Sequence, residues 1–284
     1  MLFLGTGSAD GIPNPFCTCR ICENARKVGG KECRTRASFL LDETTLIDMG
    51  QDFFTQARDY SLRFDKLENV LFTHMHDDHI NYFFLWERLV KRAGTDKPLH
   101  VWFTGEAEKF FTDFYYVSPL VEGGKKMASP PNAVLHKMEF GKTEIIGSKR
   151  VTPLRGRHAT AFEKNSSNFL IEENGRKLYY AIDSGFFLDE TFEALRGKAF
   201  DIFIGECTFP VEDYVRREDG HMDLDRVAEN LDRLYEIGAV TKKTRVYLTH
   251  IGPVGMTHAE LSAYFKSFDR PYSVTVAYDG LEIR

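Results

Sequence analysis

The chain has 284 residues, of which 43% are hydrophobic and 28% charged, with a formal net charge of −5. That apolar content suffices to bury a sizeable core, while the acidic balance argues against a dedicated nucleic-acid binder, whose phosphate contacts rest on a basic surface. No apolar run approaches the roughly 20 residues needed to cross a bilayer, and the opening lacks a basic-then-apolar leader, so a cytoplasmic protein with no membrane partner is expected.

In chain order, apolar β-prone runs bounded by turn residues place strands at 2–4, 38–41, 45–48, 70–73, 99–103, 134–140, 143–146, 151–154, 168–171, 178–182, 202–205, 246–249 and 273–277. Helical spacing places helices at 51–60, 80–91, 106–115, 188–195, 224–236 and 259–268, with Asp223 and Thr257 as N-caps of the last two. The aromatic run at 82–86, with Phe110, Phe111 and 114–116, reads as helix core, the alternative being a lid or a dimer face. No repeat of solenoid length and no low-complexity linker divides the chain. One domain over 1–284, with two sheets covered by helices, is the expected organisation.

After the first strand comes Pro13-Asn14-Pro15 and then Cys17-Thr18-Cys19-Arg20-Ile21-Cys22. Five cysteines, an odd number, do not suggest a secreted disulfide scaffold. Three thiols in one tight loop suit a tetrahedral zinc, with a redox pair or incidental thiols as the alternative. Cys207 follows an internal strand and is expected to be a buried core thiol. Arg34 and Arg36 before the second strand, and Arg155 and Arg157 further on, could hold a phosphate or could be surface arginines.

The run Thr73-His74-Met75-His76-Asp77-Asp78-His79 carries most of the chemistry. It places His74, His76, Asp78 and His79 directly after an apolar strand, a donor set that suits zinc and leaves room for water. Four such donors do not sit comfortably on one ion, so two neighbouring ions are expected. Downstream strands deliver more donors at or just past their C-terminal ends: His158, Asp183 and His250. Singly, these could be a loop histidine, an Asx-turn former and a core histidine.

The seven positions together resemble the signature of the metallo-β-lactamase-fold hydrolases, His-x-His-x-Asp-His followed by separate His, Asp and His. The resemblance covers nearly the whole chain from its Leu2-Phe3-Leu4-Gly5-Thr6-Gly7-Ser8 opening and implies a four-layer αββα sandwich. It implies that His74, His76 and His158 hold one divalent metal, zinc or manganese, that Asp78, His79 and His250 hold a second, and that Asp183 bridges them. The cysteine loop is similar to that of the phosphoribosyl cyclic phosphodiesterase branch, which implies one structural zinc within 17–33. That branch closes its zinc site with a histidine three residues past the last catalytic histidine, where this chain has Pro253. Cys33 and His258 are the candidates to take its place.

Two divalent ions that share a water lower its pKa from about 15.7 to near 7, which makes hydroxide attack on phosphorus or a carbonyl feasible at neutral pH. The same branch implies a general-acid role for His221, in Gly220-His221-Met222-Asp223; the alternative is a helix-start histidine with a local role. Glu206 could orient His221, and Asp77 could orient a ligand histidine. These readings converge on a phosphodiesterase for small or cyclic phosphate esters. A ribonuclease Z-like enzyme, a thioester or lactone hydrolase, or a non-catalytic accessory protein are the alternatives on the same fold. A homodimer is expected from family habit.

Overall fold

The computed structural model describes residues 1–81, 97–111 and 133–284. The expected helix at 80–91, the aromatic run at 82–86 and the cluster at 114–116 lie outside these residues wholly or for the most part. Among the described residues, thirteen strands form two sheets. The first holds β1 (Leu2–Gly5), β2 (Ser38–Asp42), β3 (Thr45–Ile47), β4 (Asn69–Leu71), β5 (Leu99–Thr104) and β6 (Ala133–Met138) in sequence order. The second holds β7 (Glu144–Ile146), β8 (Lys149–Arg155), β9 (Ser167–Glu173), β10 (Arg176–Ala181), β11 (Ile202–Glu206), β12 (Arg245–Thr249) and β13 (Ser273–Val276), again in sequence order.

The strands read as unbroken apolar runs because both faces of each sheet are covered. Successive residues of β10 feed different cores: Tyr179 and Ala181 point one way, Leu178 and Tyr180 the other. Between the sheets lie Phe3, Phe39, Leu71, Phe169, Tyr180, Ile204 and Tyr247. Outside the second sheet, Phe187, Phe192, Phe203, Leu231 and Leu261 pack under α1 (Arg20–Val28), α3 (Asp189–Leu195), α4 (Leu224–Glu236) and α5 (His258–Lys266). Outside the first, Leu46, Val70, Val101 and Phe111 pack with Phe53 of α2 (Phe53–Asp59). The result is the expected αββα order.

Strand ends agree with the sequence reading to within a few residues. Asp223 caps α4 by accepting from Arg226 N, and Thr257 forms a full capping box with Glu260 on α5. The 106–115 helix begins as a 3-10 turn at Gly105–Ala107, and its described part ends at Phe111. Helix α1 was not anticipated. Its buried stripe of Ile21, Cys22 and Ala25 includes a cysteine that metal-loop logic had set aside as a ligand.

The polarity of the sheets positions the chemistry. Strands β10, β11 and β12 run parallel, with Ala181 opposite Gly205 and Glu206 opposite Thr249. Their C-terminal ends therefore release Asp183, Glu206 and His250 side by side, the edge where open parallel sheets bind ligands. Strands β3 and β4 are likewise parallel, with Ile47 opposite Leu71, so Asp48 emerges beside Thr73 at the same edge of the sandwich.

Candidate metal centre

Three of the strand ends turn in the left-handed region without glycine: Asp48 (φ 61°), Asp183 (φ 46°) and His250 (φ 56°). Such conformations cost on the order of 1–3 kcal/mol each and persist where packing enforces them. Here they follow β3, β10 and β12 and swing one polar side chain apiece toward a common point. Gly50 permits the fit: a Cβ there would stand 1.9 Å from the carbonyl oxygen of Asp78, so only glycine lets the ligand loop approach.

The structure brings all seven expected ligands together. Nε2 of His74 and Nε2 of His158 lie 3.0 and 3.1 Å from Nδ1 of His76, forming one group of three imidazoles. Asp78, His79 and His250 form a second group, with His79 Nε2 at 3.0 Å from Asp78 Oδ2. Asp183 stands between them. Its Oδ2 is 3.1 Å from His79 Nε2 and 3.0 Å from His250 Nε2, while its Oδ1 faces His158 Nε2 at 3.8 Å.

The far side of several rings is held by the protein. Asp48 Oδ2 accepts from His79 Nδ1 at 2.8 Å, Gly220 O accepts from His158 Nδ1 at 3.2 Å, and Thr208 Oγ1 meets His250 Nδ1 at 3.0 Å. Each bond leaves Nε2 as the inward-facing nitrogen. Three inward atoms, His79 Nε2, Asp183 Oδ2 and His250 Nε2, are buried without a hydrogen-bond partner. Buried polar atoms are rarely left so, and this donor set suits divalent cations. The clusters could hold metal.

Electrostatics agree with that fit. Burial opposes ionisation of Asp183, but His250 and His79 outweigh it and hold the carboxyl well below its usual range. Burial keeps His74 and His158 below the ordinary imidazole value, hence neutral and able to donate a lone pair. His79 goes the other way: despite burial, Asp78, Asp183 and Asp48 raise it well above.

His221 lies beside this set, its Nδ1 3.4 Å from Asp183 Oδ1 and 3.2 Å from Glu206 Oε2. Glu206 is fully buried and anchors the neighbourhood. Its Oε1 accepts from Ser184 N (2.7 Å) and Gly185 N (2.8 Å), and its Oε2 from Thr208 Oγ1 (2.6 Å). Burial disfavours charge on His221, yet the Glu206 hydrogen bond and the nearby carboxylates raise it to about 9.

Other candidates stand elsewhere. Asp77 is exposed and accepts from Gln51 Nε2; Asp48 is the carboxylate that meets a histidine ring of the cluster, His79. Arg34 is buried, donating to Thr6 Oγ1, Ala277 O and His258 Nδ1, and Arg36 pairs with Asp52. Arg155 pairs with Glu190, and Arg157 donates Nε to Phe186 O. The first three arginines thus have structural partners rather than a place among the ligands. Cys17, Cys19 and Cys22 cluster as expected, and Cys207 is fully buried in the core. Neither candidate for a fourth zinc ligand is directed to the cluster: Cys33 Sγ donates to Ala25 O, and His258 is engaged by Arg34.

Sequence reasoning missed Asp48 and Glu163. Glu163 Oε2 accepts from Met75 N at 2.8 Å, tying the loop after His158 to the residue between His74 and His76. A lone carboxylate whose partner lies 88 residues away leaves no local pattern.

Comparison with known proteins agrees with this geometry. A family model described as a beta-lactamase superfamily domain matches residues 43–251. An octanoyltransferase of Porphyromonas gingivalis (strain ATCC BAA-308 / W83) is 36% identical over 83 residues, 28% of this chain, and the chain spans 16% of that protein's length. Coenzyme PQQ synthesis protein B of Rhizobium meliloti (strain 1021) is 22% identical over 100% of the chain and 97% of its own length. Among solved structures, a diphosphatase from the PhnP family superposes with a TM-score of 0.74 at 20% identity, covering 99% of this chain and 94% of the other. Zn(2+)-bound PqqB from Methylobacterium extorquens superposes at 0.72 and 19% identity, covering 99% and 98%. These superpositions show a shared fold. No helix among the described residues is long and apolar enough to cross a membrane.

Proposed function

Because the chain belongs to the β-lactamase superfamily, we propose that it is a two-metal hydrolase of small or cyclic phosphate diesters. The observation that carries this reading is Asp183, whose two oxygens face the two ligand groups while His221 stands 3.4 Å away. Divalent ions held by His74, His76 and His158, and by Asp78, His79 and His250, would supply Lewis acidity and an activated water. The chain's own contribution is then positioning and proton delivery. Asp48, Gly220 and Thr208 fix the ligand rings, and His221, kept protonated by Glu206, gives a proton to the departing oxygen. The three cysteines hold a further zinc away from this chemistry. A small substrate fits the engagement of Arg34, Arg36 and Arg155 with partners of their own, which leaves none of these three to follow a polyanion, and the likeness to a diphosphatase of the PhnP family agrees with phosphate chemistry.

The test is hydrolysis of bis(p-nitrophenyl) phosphate by protein reloaded with zinc or manganese, with Asp183→Asn as control. Turnover by the parent, reduced at least 100-fold in the variant, is expected. No turnover in folded, metal-loaded parent protein overturns the proposal. A role in coenzyme synthesis, favoured by the whole-length match to coenzyme PQQ synthesis protein B, then becomes the better reading.

A further inference from the structure

We infer that the Cys17–Cys19–Cys22 loop binds zinc through three thiolates and leaves the fourth coordination position to an exchangeable ligand from solvent. The site is then an accessible, ligand-accepting zinc instead of a closed structural one. The inference stands independently of how the catalytic centre is read.

The loop gathers its three sulfurs before any metal arrives. The three Sγ atoms all lie within 4.8 Å of one another. Asn14 N donates to Cys22 Sγ and Cys19 N to Cys17 Sγ, each at 3.4 Å. Cys19 occupies the N-cap position of α1, where, despite burial, hydrogen bonds from Cys22 and Cys17 lower its thiol; Cys22, in the first turn, is pushed up to about 12 by burial, so a bound ion must displace its proton. Arg26 fastens the loop from outside, donating to Cys17 O at 2.8 Å and Asn14 O at 2.7 Å. The cradle is therefore held by hydrogen bonds that do not depend on the ion.

Tetrahedral zinc requires a fourth donor, and structural sites take it from Cys or His. The chain has five cysteines and nine histidines, and every one lies among the described residues. Cys207 is buried in the core, and Cys33 donates to Ala25 O. Five histidines belong to the two ligand groups, and His221 stands beside Asp183. His100 and His136 bond to each other at 2.7 Å, and His258 lies between Arg34 and Ser262. The nearby carboxylates are also engaged: Glu23 pairs with Arg26, and Glu260 with Arg20. What faces Cys19 is the carbonyl of Pro253, 3.5 Å from its Sγ, on a residue with no side-chain donor. The neighbouring Phe16 is 95% exposed, and Cys17 and Cys19 are themselves partly exposed, so small molecules reach the site from solvent.

Cobalt substitution separates this site from the metal centre, because only the loop supplies sulfur and thus thiolate-to-cobalt charge-transfer bands. In the full-length, cobalt-loaded protein these bands are expected to shift saturably as imidazole is added. Cys33→Ala and His258→Ala are expected to keep one equivalent of thiolate-bound cobalt with unchanged bands. Cys17→Ala should weaken the bands while the remaining metal stoichiometry holds. Bands indifferent to imidazole, or bands lost in either the Cys33 or the His258 variant, would identify a closing protein ligand and overturn the inference. Absence of any thiolate band in folded, cobalt-loaded wild type would overturn it as well.

Discussion

Asp48 and His79 form a fully buried pair, with the carboxylate Oδ2 2.8 Å from the ring Nδ1. The same carboxylate accepts from Thr73 N and Thr73 Oγ1, both at 2.8 Å, so its position is fixed from the strand that leads into the ligand loop. This sets the His79 ring so that Nε2 faces Asp78 and Asp183. Asp48→Asn removes the charge and cannot serve the ring and both Thr73 donors equally well. A loss of about 10–100-fold in affinity at the second metal position is expected, with the fold retained. Competition titration against a chromogenic chelator measures it. Unchanged affinity would mean that packing alone orients the ring.

His221 as proton donor makes a prediction about leaving groups. An alkoxide needs a proton to depart, whereas p-nitrophenolate does not. His221→Asn should therefore lower turnover by roughly 10²–10⁴-fold on an alkyl phosphodiester. On bis(p-nitrophenyl) phosphate the loss should be much smaller. Glu206→Gln should show a weaker asymmetry over a loss common to both esters, since Glu206 holds His221 and also anchors Ser184, Gly185 and Thr208 beside Asp183 and His250. Equal losses on both esters would leave His221 without the acid role.

The seven positions the structure brings together were legible because His74, His76, Asp78 and His79 crowd one loop after β4, while His158, Asp183 and His250 each follow an apolar run that breaks at or just before a single donor residue. Their supports were not. Asp48 also follows a strand, but nothing nearby in sequence marks its partner, which lies 31 residues away. Glu163 meets a backbone N–H, and backbone carries no sequence signal. Helix α1 was hidden because Cys22 serves two readings at once, apolar stripe and thiolate. The arginines were ambiguous from spacing alone. Only the fold reveals that the Arg34 guanidinium is already occupied by Thr6 and Ala277, from the two ends of the chain.

Glu163 gives a pH signature. Burial pushes its carboxyl from about 4.5 to about 7, even though Met75 N–H and Thr160 favour the ionised form. A carboxyl that holds its proton more tightly when folded contributes stability below its unfolded value. That contribution is lost as pH rises through the folded value. Metal-stripped protein should therefore lose stability between about pH 4.5 and 7 through this group, by up to about 3 kcal/mol. Glu163→Gln keeps an acceptor for Met75 and does not titrate, so its loss over the same window should be smaller. Thermal unfolding of both proteins across the window, each stripped of metal, isolates Glu163, because the histidines titrate alike in the two. Parallel curves would mean that the carboxyl titrates near its ordinary value.

The two helix caps separate stability from function. Thr257 serves α5 alone, through the capping box with Glu260, so Thr257→Ala should cost about 1 kcal/mol and leave turnover intact. Asp223 caps α4 through Arg226 N, but its other oxygen also accepts from Tyr214 N and Val215 N at 2.8 Å each. It lies two residues after His221 and is fully buried, so Asp223→Ala releases the helix start and the 213–215 segment together. A larger cost, about 2–3 kcal/mol, is expected. Turnover should also fall at temperatures where the variant remains folded, because the loop carrying His221 loses its anchor. Denaturant titration paired with turnover on an alkyl phosphodiester tests both variants. If Asp223→Ala lost stability and kept full turnover, the ties that do not involve Asp223, Met222 N to Glu206 at 3.2 Å, Phe209 N to Met222 O at 3.1 Å and His158 Nδ1 to Gly220 O at 3.2 Å, would suffice to hold the His221 loop.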